Sequence, residues 1–120
     1  LWQMAERTRG DLLARLALVP RTLEARGLDA SPPLRDKLVA AGDRRAGEIL
    51  DIILRDEVGH VAVGNHWYRR VCAERGLDPL ATGVALADAH QAPRPRGPFN
   101  LAARRAAGFD EAELALLPTR

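Results

Sequence analysis

Between residues 43 and 75, apolar side chains recur at alternating steps of four and three. That spacing commits the stretch to one long helix with a buried seam in a bundle. The stripe runs Ala46, Leu50, Ile53, Glu57, His60, Gly64, Trp67 and Val71. Two of its members are not apolar: Glu57 and His60 stand one turn apart on the same face. An ionised side chain in such a seam is costly unless something pairs with it. Carboxylate oxygen and imidazole nitrogen are both good metal ligands, so a bound cation satisfies both at once. The plainer alternative is that the two side chains pair with each other, or with an arginine of a neighbouring helix, at a subunit contact.

The rest of the chain reads as helix with turn punctuation. A first helix is expected from Trp2 to Arg26, with Leu12, Leu16, Val19 and Leu23 on one face and a kink at Pro20. Gly27 is its expected C-cap. Ser31 and Pro32 then start a short helix to about Ala41. Asp43 caps the long helix and Gly76 ends it. Asp78-Pro79 opens a helix to about Ala89, and the stretch from Gln91 to Pro98 is an extended loop. Asn100 caps a helix that ends at Gly108. Asp110 and Glu113 form a capping box for a last helix through Leu117. The organisation expected is a helix pair over 1–76 followed by a helical extension with the proline-rich loop over 77–120.

A hairpin that turns at Gly42 places a further carboxylate near the first pair. With the helices before the turn treated as one interrupted rod, Glu24 and Glu57 come to roughly the same height. Glu24 falls beside Leu13, Ala17 and Pro20, at the edge of the apolar stripe. Asp56, four residues before His60, is placed to hold a ligating imidazole through its free N–H; its plainer role is a surface partner for Arg55. A thermolysin-type zinc motif needs His at position 56, where this chain has Asp. His66 lies well round the helix from His60 and reads as a surface or interface residue, and His90 beside the loop as a solvated one. Trp67 and Tyr68 read as packing.

Composition narrows the remaining classes. The chain has 120 residues, 47% hydrophobic and 4% aromatic, so its core is aliphatic. The net charge is +2, with both signs interspersed, which gives no ground for a nucleic-acid partner. Arg94, Arg96, Arg104 and Arg105 gather near the loop. Solvated arginines tied down by carboxylates is the plainer reading, and contact with an anionic partner such as RNA is the other. Cys72 is the sole cysteine, which excludes an internal disulfide, makes a buried core thiol the simplest reading and favours a cytoplasmic setting. No apolar run approaches bilayer length, so no membrane partner is expected. The chain opens at Leu1 directly in helical pattern, and its start is expected not to be a natural N-terminus.

The segments "ALVPRTLEARGLD", "AGDRRAGEILDIILRDEVGHVAVGNHWYRRVCAERGLDP" and "RGPFNLAARRAAGF" resemble a bacterial family of ferritin-like proteins known only as a domain of unknown function. The resemblance extends from Leu1 to about Leu117. It implies an all-α fold, a ferritin-like four-helix bundle holding a carboxylate-bridged metal pair. In such sites one Glu from each of two helices joins a Glu-x-x-His from each of the other two. By motif match, Glu57 and His60 take the Glu-x-x-His role and Glu24 the single-Glu role. Glu6, Glu48 and Glu74 each lack a His three residues on, so the second half of the ligand set is missing. The chain therefore reads as the C-terminal half of the bundle, either a fragment or a short natural variant: a helical hairpin with an interrupted first helix plus short C-terminal helices.

The function expected from the resemblance is an iron- or manganese-dependent oxidoreductase of unknown substrate, with Glu24, Glu57 and His60 as metal ligands and Asp56 behind them. Two ions are expected if a missing N-terminal helix pair or a homodimer supplies the other ligands. The alternative is a non-catalytic helical module that dimerises or docks through its apolar seam.

Overall fold

The computed structural model describes residues 1–118, and among these every regular element is helical. The first expected helix is broken in two. Helix α1 (Trp2–Arg7) stops at a turn where Gly10 takes a φ of +82°, and Asp11 caps α2 (Leu12–Leu18) by accepting from the Ala14 N–H at 3.0 Å. The buried face of α2 is Leu13, Ala14, Ala17 and Leu18, while Leu12 is exposed.

The kink expected at Pro20 takes the form of a π-helical segment, Val19–Glu24. Pro20 brings no N–H to the ladder, and a wider turn absorbs that gap. The Thr22 hydroxyl donates to the Ala17 carbonyl at 2.8 Å. The chain runs straight on into α3 (Ala25–Ala40). The cap and restart expected at Gly27 and Ser31 are therefore corrected: both residues, and Pro32 with Pro33, lie inside α3. Pro32 leaves the Leu28 carbonyl, four residues back, without its helical donor. The side-chain amide of Asn100 donates to that carbonyl at 3.2 Å instead. A residue far along the sequence thus makes the interior proline tolerable.

The chain reverses at Gly42 (φ +95°) into the long helix α4 (Arg44–Arg75). Asp43 caps it by accepting from the Ala46 N–H at 3.0 Å, and Gly76 ends it in the left-handed region at φ +66°. Helices α5 (Pro79–Ala89), α6 (Leu101–Ala106) and α7 (Glu111–Ala115) follow. Asp78 and Asn100 cap α5 and α6, and the Asp110/Glu113 capping box opens α7. The last helix stops two residues short of the expected Leu117.

The path from α2 to α3 packs antiparallel to α4. Its register is set by Arg35 against Asp51 (2.6 Å), Val39 against Gly47 and Pro20 against Gly64. On this register Glu24 lies level with His60. Gly64 is required for the approach: a Cβ there would sit 2.5 Å from the Pro20 Cβ and 2.6 Å from its Cγ. The Gly64→Ala variant is expected to lose about 1–3 kcal/mol of stability in urea unfolding, as overpacking at a rigid ring predicts.

Two apolar clusters flank the register point. One joins Met4, Leu13 and Leu18 to Tyr68 and Cys72; the other joins Ala25 and Leu28 to Val61, Ala103 and Ala107. Cys72 is a buried free thiol, as expected. The C-terminal helices pack back on the hairpin. Arg21 reaches from the π-helical segment to the Asn65 side chain and to Glu113, and its guanidinium lies 4.0 Å from the centre of the Tyr68 ring. Arg69 donates to the other Glu113 oxygen at 2.8 Å, and Asn65 donates to the Ala107 carbonyl at 2.6 Å.

The stripe expected to be the seam of α4 needs correction. The face that α4 buries within this chain carries Gly47, Val61, Gly64, Asn65, Tyr68, Val71 and Cys72. Of the expected stripe, only Gly64 and Val71 belong to it. Ile53, His60 and Trp67 lie on a second face that stays exposed among the described residues.

Candidate metal centre

Both residues of the Glu-x-x-His motif project from α4 at its middle. The His60 Nδ1 sits 3.3 Å from the Glu57 Oε1, the one-turn pairing that the spacing dictates. Glu57 lies on the border between the two faces of α4, with its side chain 27% exposed; that of His60 is 66% exposed. With Nδ1–H turned to the carboxylate, Nε2 is left as the free ring nitrogen on the outer side.

The surroundings of His60 are unusual for an exposed histidine. Ile49, Ile53, Val63 and Trp67 flank it along the outer face, and each is roughly half exposed, between 45% and 58%. Ile49 and Ile53 on one side of His60 and Val63 and Trp67 on the other make two apolar pairs along this face, with Asp56 beside His60 and Glu57 at the border. Trp67, expected to pack inside, instead stands on this face, with the His66 ring edge-on to it at 5.2 Å.

Glu24 ends the π-helical segment, half-buried and level with His60 across the hairpin. Its carboxylate makes no hydrogen bond or ion pair among the described residues. Asp56 is exposed and lies 3.6 Å from Arg55. Among the described residues, no group of three or more His, Cys, Asp and Glu side chains lies close enough to hold a metal ion. The donor chemistry of Glu57 and His60 suits iron or manganese, but two donors on one helix do not complete a coordination sphere.

Residues 1–115 match the family described as "Protein of unknown function (DUF455)". The chain belongs to the DUF455 family. An uncharacterized protein of Haemophilus influenzae is 49% identical to it over 114 residues, covering 95% of this chain and 40% of that relative. The chain thus spans about two fifths of the length of the curated relative it matches. No solved structure matches. No helix among the described residues is long and apolar enough to cross a membrane.

The features that sequence reasoning missed are Asn65 and Glu113, which join the C-terminal helices to the hairpin. The signal for Asn65 was present: it is an amide one residue after Gly64, on the face opposite the exposed one. Nothing in the local pattern marked Glu113 as more than a capping residue.

Proposed function

We propose that this DUF455 chain is one half of a ferritin-like metal site, in which Glu57 and His60, joined by Glu24, bind iron or manganese once a second helix pair covers α4. The observation that carries this reading is the exposed apolar face of Ile49, Ile53, Val63 and Trp67, with His60 between them and Glu57 at its border. Such a face calls for a cover. Covering it takes Glu57 and His60 out of water, and a cation between helices then neutralises what would otherwise be an expensive burial. The relative extends well beyond the matched stretch, which leaves room for a covering helix pair in a longer chain. In a solution of this chain alone, the cover is a second copy related by two-fold symmetry, which brings two Glu and two Glu-x-x-His motifs together. The activity consistent with such a site is a metal-dependent oxidoreductase.

The test is metal content and size, measured together on chain purified without chelator. Iron or manganese is expected to accompany a dimer, and the Glu57→Ala/His60→Ala double variant is expected to lose at least about tenfold in metal content. Equal metal in both proteins overturns the reading.

A second reading rests on the Glu57–His60 pairing itself, which satisfies both side chains without any ion. On that reading the exposed face is a docking face of a non-catalytic helical module. A dimer that forms without metal, and persists in the double variant, identifies it.

A further inference from the structure

The four arginines near the proline-rich loop divide into two kinds. Arg104 is locked to Asp29 through two hydrogen bonds of 3.1 and 2.6 Å, and Arg105 is held by Glu111 at 2.6 Å. Arg94 and Arg96 form no ion pair among the described residues. They stand on the loop wall of a groove of about 830 Å³, and Arg26 stands on the opposite wall, on α3, equally without an acidic partner there. The acid in the lining, Asp29, is already neutralised by Arg104. Three arginines therefore line one concavity, and among the described residues none of them has an acidic partner.

The groove is held open by its construction. The proline-rich loop is anchored at its start by the Ala92 N–H donating to the Ala87 carbonyl at 2.9 Å. At its end, the Asn100 N–H donates to Asp29 at 2.9 Å. Pro93, Pro95 and Pro98 fix the backbone between these points, so little ordering remains to be done when a ligand arrives. Leu23, Ala30 and Pro33 give the lining an apolar part. A concavity of this size, mostly apolar with a few convergent charges, is the usual form of a small-molecule site.

We propose that this groove binds a small phosphorylated molecule, with its phosphate held between Arg26 on one wall and Arg94 and Arg96 on the other. Guanidinium forks match phosphate oxygens in pairs, and two opposed walls allow them to grip from both sides. A nucleic-acid strand fits less well. The lining offers no aromatic ring on which bases stack, and the charge of the chain as a whole is only +2. The proposal uses none of Glu24, Glu57 or His60 and stands independently of the metal site.

Titration calorimetry of the intact chain at low salt, with pyrophosphate and with ADP as probes, tests it. Saturable binding of pyrophosphate or ADP with a Kd below about 1 mM is expected. The Arg94→Ser/Arg96→Ser variant and the Arg26→Gln variant should each weaken it at least roughly tenfold. All three sites are exposed, so both proteins should keep the helical circular dichroism of the parent. Arg70→Ser, which breaks an exposed pair with Glu74 on α4, should leave binding unchanged. Three results overturn the proposal: no saturable binding of either probe, equal binding by parent and groove variants, or binding of a short single-stranded RNA that neither probe displaces.

Discussion

Replacing Arg104 with Ala is expected to destabilise the protein by about 3–5 kcal/mol, one of the two largest single-residue effects in the molecule. Arg104 and Asp29 are 5% and 8% exposed at their side chains, and the two hydrogen bonds between them close a bidentate pair. The Arg104 guanidinium also lies 5.4–5.5 Å from the ring centres of Phe99 and Phe109. Without it, the Asp29 carboxylate is left buried with only the Asn100 N–H to support its charge. The cost is that of an uncompensated charge rather than the net worth of the pair. The Asp29→Leu/Arg104→Met double variant should therefore recover most of the loss. Urea unfolding of the two singles and the double closes the cycle. A loss below about 1 kcal/mol for Arg104→Ala would class the pair with ordinary surface ion pairs and remove it as the clamp between α3 and α6.

Glu113→Ala should cost a similar amount, about 3–5 kcal/mol, for a related reason. One carboxylate serves two arginines there: Arg21 on one oxygen and Arg69, at 2.8 Å, on the other. Burial pulls the Arg21 guanidinium below its ordinary pKa, and the neighbouring Glu113 charge is the main influence opposing that pull. Loss of the carboxylate leaves a cation in a site only 8% exposed, over the Tyr68 ring. The same change removes one arm of the α7 capping box, since Glu113 also accepts from the Asp110 N–H at 3.0 Å. Glu113→Gln keeps hydrogen-bonding atoms in place without the charge, and should fall between Ala and the parent in thermal and urea unfolding. If Glu113→Ala unfolds at the parent's urea midpoint, the C-terminal helices are not held by this carboxylate.

The parts of the fold written in local residues were legible in the sequence. Asp43, Asp78, Asn100 and the Asp110/Glu113 box start their helices where capping chemistry says they should, and Gly76 ends α4 in the left-handed region. The errors came where tertiary contacts override local preference. Pro32 and Pro33 lie inside α3, and a side chain from residue 100 compensates the carbonyl that Pro32 strands. No local pattern carries that information. The wide turn at Val19–Glu24 was readable as a disturbance at Pro20 but not as a π-helix.

The candidate site fails in a more instructive way. Helix α4 is apolar on two faces, and periodicity locates apolar faces without saying which one this chain covers. The stripe built around Glu57 and His60 mixes the two: Gly64 and Val71 are buried, Ile53, His60 and Trp67 are exposed, and Glu57 lies between. Hairpin geometry did bring Glu24 level with the pair. Among the described residues it did not gather the three into one metal-binding cluster.

X-ray absorption at the iron or manganese edge tests the central claim most directly, measured on the metal-loaded dimer of this chain. A cation bridging carboxylate and imidazole on the covered face predicts the multiple-scattering signature of histidine alongside oxygen ligands, and His60→Ala should abolish the histidine signature. An unchanged signature in His60→Ala, or a dimer that takes up neither metal, would contradict it.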